Sequence, residues 1–239
     1  MKIIEPSYEI LTPISDGGQS ELRLIETVAR TCYKSEGNNE GDFDKTKKFI
    51  KGLIKRGHEA MLEHSFLSVK FVCDRGVSHE LVRHRHGSFA QESTRYCNYS
   101  NDKFGNELTF IEPWWFKYSQ DNFVIDDSSK RFIDVCKATE TVYLDLVNKN
   151  CLTPQAAREI LINSVKTEIV ISTNYREWRH ILNLRAANAT GPAHPDMNRL
   201  MCPLLQELKE NIPIMFDDIY DKMLDDKQAA QFIESFKID

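Results

Sequence analysis

Several marks of exported and membrane-bound proteins are missing from the sequence. Six cysteines are scattered along the chain without a CxxC pair, so we expect reduced, mostly buried thiols. No apolar run approaches the roughly 18 residues of a membrane-spanning helix, and the N-terminus MKIIEPSYEI lacks the apolar segment of a signal peptide. These absences predict a soluble, cytoplasmic protein that has no membrane partner.

Glycine-rich phosphate loops are missing as well. Neither GxGxxG nor GxxxxGK(S/T) occurs, so nothing supports dinucleotide binding by a Rossmann turn. The net charge is −5, so the molecule as a whole repels polyanions and any anion site must be a local patch. With 239 residues, 41% apolar and 28% charged, the chain has a globular composition and can bury its own core.

Apolar residues recur at two different spacings along the chain. Helical spacing predicts helices over 20–34, 44–56, 128–149, 175–189 and 196–211. Alternation predicts strands over 3–12, 65–73, 108–111 and 167–173. A short helix over 77–85 is predicted to carry the Arg-His-Arg run, and the acidic stretch 217–226 is predicted to be a solvated helix face.

The order of these elements predicts the fold class. Helices are mixed with separated strands, and no regular βαβ alternation is present, which is typical of the α+β class. We therefore predict an α+β fold with a central, mostly antiparallel sheet flanked by helices, in a single domain over residues 1–239.

Polar residues concentrate most densely between positions 79 and 96. The segment contains three arginines and three histidines in an otherwise acidic protein. Arginine guanidinium groups match the bidentate geometry of phosphates and carboxylates, so the segment resembles an anion-binding site. The alternative is a solvated helix end with salt bridges such as Glu80 to Arg83.

Three other interpretations of this segment are weaker. A zinc site would use His79, His84 and His86, but the last two are two residues apart and do not share a helix face, so we predict no metal. A nucleic-acid patch conflicts with the negative net charge, so we predict no nucleic-acid partner. A nucleophilic Ser88 or Ser93 lacks the GxSxG setting.

Two further clusters stand before and after this segment. The first, residues 57–64, contains two acid–imidazole pairs, which either position a ligand or cap the following strand. In the second, Arg176 and His180 share a helix face, whereas Arg185 lies on roughly the opposite one. Such a helix is wedged between two ligands, shared across a subunit interface, or covered with surface salt bridges.

The three clusters together resemble a known family. Residues 83–96, RHRHGSFAQESTRY, look like the RHR-x7-S signature of the flavin-dependent thymidylate synthases with the Arg-Tyr that commonly follows it. Residues 57–64 are similar to the family's upstream block, and Asn174-x-Arg176 with Arg185 to its downstream block. The blocks stand in the family order, and the resemblance extends from about residue 20 to about residue 215.

The resemblance implies an activity and its cofactors. The enzyme would convert dUMP to dTMP through FAD, with methylenetetrahydrofolate as carbon donor and NADPH as reductant. It would be a homotetramer whose active sites are shared between subunits. A flavin-dependent nucleotide hydroxymethylase acting on dUMP or dCMP is the alternative, suggested by the long segment 189–196, and a non-catalytic nucleotide- or RNA-binding module is a third hypothesis.

The resemblance also implies the roles of single residues. Those expected to bind the flavin are Glu63, Arg83, His84, Arg85, Gln91, Asn174, Arg176 and His180. Those expected to bind dUMP are Glu80, Arg83, Gln91, Ser93, Thr94, Arg95, Arg158 and Arg185. Arg185 is the catalytic candidate, because a fixed positive charge beside uracil N3 lowers the pKa of that proton. His58 is expected at the folate entrance.

Overall fold

Helices and short strands follow one another irregularly in the computed structural model, which describes residues 1–32, 34–35, 42–116 and 126–234. The chain divides into two units. The first unit comprises Met1–Ser7, Phe71–Arg83 and Ala90–Ile169. The second unit comprises Tyr8–Lys70, His84–Phe89 and Val170–Asp239.

Six strands form two sheets in the described residues. The strands are β1 (Lys2–Ile4), β2 (Ser7–Ile10), β3 (Phe66–Asp74), β4 (Gly87–Gln91), β5 (Thr109–Ile111) and β6 (Lys166–Asn174). Strands β1 and β5 pair in parallel, and the larger sheet has the order β2-β3-β6-β4. The mixed architecture and a small antiparallel sheet are confirmed. That this sheet lies at the centre of a single domain stays a prediction.

Helices account for most of the remaining described chain. They are α1 (Gln19–Thr31), α2 (Phe43–Lys55), α3 (Arg75–Leu81), α4 (Asp127–Asn148), α5 (Pro154–Ala157), α6 (Tyr175–Arg185), α7 (Pro195–Asn211), α8 (Asp217–Asp225) and α9 (Lys227–Glu234). Four 3-10 helices lie at Asp16–Gly18, Glu59–His64, Asp102–Phe104 and Arg158–Ile160. Among the described residues, no helix is long and apolar enough to cross a membrane.

Local sequence explains where several elements begin and end. Strands β3 and β6 alternate buried and less buried residues along their length, as their sequence pattern predicts. Helix α2 ends at Lys55, and Gly57 follows with a φ of 71°, the left-handed conformation that glycine adopts at little cost. The amide of His58 then donates to the carbonyl of Leu53 at 3.0 Å, which completes the helix end.

The first unit has its own apolar core beneath α4. Its fully or nearly buried members include Phe110, Cys136 and Tyr143. Cys136 and Tyr143 are seven residues apart on α4, which is the spacing of a single helix stripe. This core supports the chain between residues 90 and 169, where several of the predicted dUMP-binding residues lie.

In the second unit, buried contacts of α6 hold that helix in place. The indole Nε1 of Trp178 donates to the carbonyl of Leu67 at 2.9 Å, with the tryptophan fully buried. Arg179, 6% exposed, donates both terminal nitrogens to the carboxylate of Asp218 at 2.8 Å each. Arg179 also contacts Glu59 at 3.3 Å and the carbonyl of Met215. Because Asp218 binds Arg179, the acidic tail is not the uniformly solvated face that we predicted.

The structure corrects two further boundaries and adds one strand. The predicted strand over 3–12 is two strands, because Pro6 cannot donate to a ladder. The predicted helix over 77–85 is α3, which begins earlier because Asp74 caps it and ends at Leu81, so the Arg-His-Arg run lies beyond the helix. Strand β4 was not predicted. It stands at the end of the sheet order, and an edge strand needs no strong apolar alternation.

The ion pair between Arg179 and Asp218 makes stability depend on pH. Burial raises the pKa of Asp218, but the hydrogen bond and charge of Arg179 outweigh that effect and leave the pKa lowered. A lowered pKa stabilises the fold above the unfolded value of about 3.9, and the contribution is lost as the pH falls through the folded value. The Asp218 side chain is 44% exposed, so solvent screening reduces the effect.

We therefore expect Asp218→Asn to lower the free energy of unfolding by about 1 kcal/mol at neutral pH. The difference from wild type should shrink below about pH 4. Urea unfolding at a series of pH values measures it, and the exposed neighbour variant Asp221→Asn is the control. An equal loss in both variants would contradict the specific role of Asp218.

Candidate functional site

The two units carry different parts of the predicted site. The second unit contains most of the predicted flavin-binding residues, namely Glu63, His84, Arg85, Asn174, Arg176 and His180, together with Arg185 and His58. The first unit contains most of the predicted dUMP-binding residues, namely Glu80, Arg83, Gln91, Ser93, Thr94, Arg95 and Arg158. The boundary between the units passes through the Arg-His-Arg run itself.

The Arg-His-Arg run is a turn between α3 and β4. The amide of Arg83 donates to the carbonyl of Glu80 at 3.3 Å, which closes the chain after the helix. Arg83 and Arg85 are exposed, whereas His84 between them is only 6% exposed. The run therefore presents two cations to solvent and inserts an imidazole into the protein.

His84 lies against α6, where three polar side chains surround its ring. The Nε of Arg185 donates to Nε2 of His84 at 3.3 Å, and Oε1 of Glu177 lies 3.8 Å from Nδ1. The rings of His84 and His180 are 5.9 Å apart in an edge-to-face arrangement. Predicted residues from two distant sequence blocks are thus neighbours in the second unit, which the sequence alone did not show.

The beginning of α6 carries two other predicted flavin residues. The side-chain oxygen of Asn174 accepts the amide of Glu177 at 2.9 Å and so caps the helix. The amide nitrogen of Asn174 takes no part in that contact. Arg176 forms an ion pair with Glu63, and both side chains are about half exposed. An exposed pair of this kind contributes little to stability, so Arg176 can exchange Glu63 for an anionic ligand at small cost.

The side chains of His84, Glu177 and His180 each offer an atom that could bind a metal ion, and these atoms lie within 4.8 Å of one another. This group differs from the zinc site considered from sequence, because it contains neither His79 nor His86. The guanidinium of Arg185 lies next to His84, and a fixed positive charge so close opposes the binding of a cation. The arrangement therefore favours a hydrogen-bonded polar cluster, and the absence of a metal stays a prediction.

In the first unit, a partly buried network of hydrogen bonds holds the segment that follows β4. Lys166 donates to Glu92 at 2.9 Å and to Glu168 at 2.7 Å, and the hydroxyl of Tyr99 donates to Glu92 at 2.8 Å. Burial together with the carboxylate of Glu92 raises the pKa of Tyr99, so this hydroxyl stays protonated. Sequence reasoning missed Lys166, because its partner Glu92 is 74 residues away in the chain. The network fixes the start of the stretch that carries Ser93, Thr94 and Arg95.

The predicted dUMP residues of the first unit are held by local contacts. The side-chain nitrogen of Gln91 donates to Ser78 at 2.9 Å, and its second contact is Thr167 at 3.3 Å. The Nε of Arg95 donates to Gln155 on α5 at 2.9 Å. Arg158 immediately follows α5.

The other residues of this set differ in exposure. Glu80, Ser93 and Arg158 are half-buried, and Thr94 is buried. In the other unit, His58 is exposed and precedes the 3-10 helix Glu59–His64.

Comparison with known proteins assigns the chain to a family. The family model described as thymidylate synthase complementing protein matches residues 17–214, which is most of the chain. The chain therefore belongs to the thymidylate synthase complementing protein family.

Curated relatives and solved structures agree with this assignment. Proteins named flavin-dependent thymidylate synthase from Corynebacterium aurimucosum and Mycobacterium marinum are each 30% identical to this chain, with 87% of it aligned to 83% and 82% of their lengths. The structure of thymidylate synthase X from Helicobacter pylori with FAD and dUMP has a TM-score of 0.64 at 23% identity, covering 90% of this chain and 99% of that one.

A second solved structure is similar in fold. The UMP/dUMP methylase PolB from Streptomyces cacaoi, bound with 5-Br dUMP, has a TM-score of 0.71 at 14% identity, covering 95% of this chain and 99% of that one. At these sequence identities, the two structural similarities support only the assignment of the fold.

Asn174 caps α6 and is also a predicted flavin-binding residue, and its role as a cap gives a stability prediction. We expect Asn174→Ala to lower the free energy of unfolding by about 1 kcal/mol, because the cap to Glu177 is lost. Asn174→Asp should keep stability within a few tenths of a kcal/mol, because aspartate caps equally well. Urea unfolding measures both variants, and equal stabilities of the two would show that the cap contributes nothing.

Proposed function

We propose that this chain is a flavin-dependent thymidylate synthase that converts dUMP to dTMP. The carbon comes from methylenetetrahydrofolate and the reducing equivalents from NADPH, through FAD. Membership of the family and the names of the curated relatives support this reaction. The observation that carries it furthest is the contact between His84 of the Arg-His-Arg run and Arg185 on α6.

The chemistry of the residues present fits FAD. A dinucleotide carries two phosphate charges, and Arg85 and Arg176 offer exposed guanidinium groups in the second unit. Asn174 offers its amide nitrogen and His180 an exposed ring. We assign flavin binding to these four residues together with Glu63, Arg83, His84 and Gln91. When bound, FAD supplies the redox chemistry, and the protein positions it.

The residues around α5 suit the phosphate of dUMP. Arg95 is tied through Nε to Gln155 on α5, which orients its guanidinium group, and Arg158 directly follows that helix. Two guanidinium groups beside one short helix can bind a phosphate monoester with charge-assisted hydrogen bonds. We assign dUMP binding to both arginines with Glu80, Arg83, Gln91, Ser93, Thr94 and Arg185.

Arg185 is the residue to which we assign activation of the substrate. Its permanent positive charge, placed beside uracil N3, would lower the pKa of the N3 proton. As the N3 proton is held less tightly, electron density in the uracil ring and at C5 increases, so the protein itself needs no nucleophile. The assignment agrees with the half-buried position of Arg185, since an arginine acts more strongly where water is partly excluded.

The proposal includes the assembly and the surroundings of the enzyme. We propose a homotetramer with active sites shared between subunits, a single functional domain over residues 1–239, and His58 near the folate entrance. A cytoplasmic location agrees with the six cysteines, all of which are free thiols. Light scattering of the purified protein measures the mass of the assembly.

Product analysis tests the reaction directly. Purified protein with bound flavin is incubated with dUMP, methylenetetrahydrofolate and NADPH, and the nucleotides are separated by mass. We expect dTMP, and we expect the gene to support growth without thymidine in a strain that lacks its own synthase. A hydroxymethylated dUMP or dCMP product would identify the alternative activity instead, and flavin-loaded protein that yields neither product would refute the proposal.

Replacing Arg185 separates chemistry from flavin binding. We expect Arg185→Ala to keep its flavin, because other residues hold that cofactor, and to form dTMP at least about 100-fold more slowly. The visible spectrum reports the flavin, and the initial rate reports the chemistry. Turnover close to wild type would remove Arg185 from the role of activating residue.

Replacing Arg176 tests the flavin site itself. We expect Arg176→Ala to purify with much less flavin and so to be nearly colourless, because a guanidinium that meets the cofactor is gone. Arg131→Ala is the matched control, since Arg131 is 79% exposed and forms an ion pair with Asp127 on its own helix. Equal flavin content in the two variants would contradict the role of Arg176.

A further inference from the structure

The environment of Glu177 is unusual for a glutamate in the first turn of a helix. Such a side chain commonly reaches back to the helix start or lies in solvent beside the positive end of the helix dipole. Glu177 is instead only 8% exposed. Its Oε1 atom is directed at Nδ1 of His84, at 3.8 Å, which is within ion-pair range but longer than a hydrogen bond.

The other ring nitrogen of His84 determines where its proton lies. Arg185 donates from Nε to Nε2 of His84, and arginine is always protonated and has no acceptor. Nε2 must therefore offer a lone pair, so the imidazole is neutral and carries its proton on Nδ1. That proton lies on the side of the ring that faces Glu177.

We infer that Glu177 is a positioning residue that acts through His84 on Arg185. Its carboxylate attracts the Nδ1 proton and so favours the one tautomer whose Nε2 accepts from Arg185. The three groups form a chain of carboxylate, imidazole and guanidinium within the second unit. The inference rests on the proposed function, in which Arg185 activates the substrate.

Electrostatics favour the same arrangement. The half-buried guanidinium of Arg185 beside the imidazole repels a second proton on that ring, while the buried carboxylate of Glu177 alone would attract one. With the carboxylate of Glu177 beside Nδ1 and the guanidinium of Arg185 beside Nε2, the ring stays neutral and keeps one orientation. His180, which lies on α6 like Glu177 and Arg185, packs edge-to-face on the ring of His84. This contact limits rotation of the His84 ring. The guanidinium of Arg185 then has a fixed partner.

Variants of Glu177 test the inference with two readouts. Loss of an orienting partner typically lowers activity about 10- to 100-fold, so Glu177→Ala should reduce kcat for dTMP formation to that extent. The KM for dUMP and the flavin content should stay within about threefold of wild type. Glu177→Gln keeps an acceptor oxygen and should restore most of kcat. Glu210→Ala, on the exposed surface of α7, is the control.

The second readout does not depend on activity. Nitrogen-15 NMR of histidine-labelled protein distinguishes the two neutral tautomers, and a His84→Asn variant identifies the signal among the seven histidines. We expect His84 to carry its proton on Nδ1 in wild type and in Glu177→Gln. We expect a mixture of tautomers in Glu177→Ala. A purely structural Glu177 would change the unfolding temperature while leaving the tautomer unchanged.

The outcomes separate this inference from the proposed function. If wild type forms dTMP and Glu177→Ala keeps both its kcat and its single tautomer, the inference is wrong and the function stands. If wild type forms no dTMP, the function is wrong, and the tautomer measurement still decides whether Glu177 orients His84. Should Glu177→Ala fail to fold, a wild-type or Glu177→Gln signal with the proton on Nε2 would overturn the inference.

Discussion

The positions of the predicted site residues in the second unit depend on how α6 is anchored. This helix carries apolar residues on one side and a buried arginine, Arg179, that would be costly without partners. Asp218 and Glu59 neutralise Arg179, and Trp178 donates to the carbonyl of Leu67. A helix fixed in this way can present its remaining polar side chains at defined positions, which flexible surface arginines do not achieve.

The chemistry follows from that anchoring. Because α6 is fixed, Arg185 meets the ring of His84, and Arg176 meets Glu63. The Arg-His-Arg run contributes exposed cations on either side of a buried imidazole, so one short turn combines the proposed anion site with a part of the inner polar cluster. Local positive charge on a chain of net charge −5 is what the proposed binding of two anionic nucleotides requires.

Sequence patterns predicted part of the fold and of the candidate site, and they missed the remaining elements and contacts for physical reasons. Apolar periodicity predicted α1, α2, α4, β3 and β6, because each buries one face against a core. It misplaced the Arg-His-Arg run, because polar residues after α3 carry no periodic signal. The partners of His84 and Arg179 could not be predicted, since Arg185 is 101 residues from His84 and Asp218 is 39 residues from Arg179. Glu177 gave no motif signal at all.

The most direct measurement of the central claim is a single-turnover experiment on the flavin-loaded protein. The flavin is first reduced by NADPH without oxygen, and the protein is then mixed with dUMP and methylenetetrahydrofolate while absorbance is followed. The account predicts that the yellow absorbance returns and that one dTMP forms for each flavin reoxidised. Return of absorbance without dTMP, or dTMP formed while the flavin stays oxidised throughout, would contradict it.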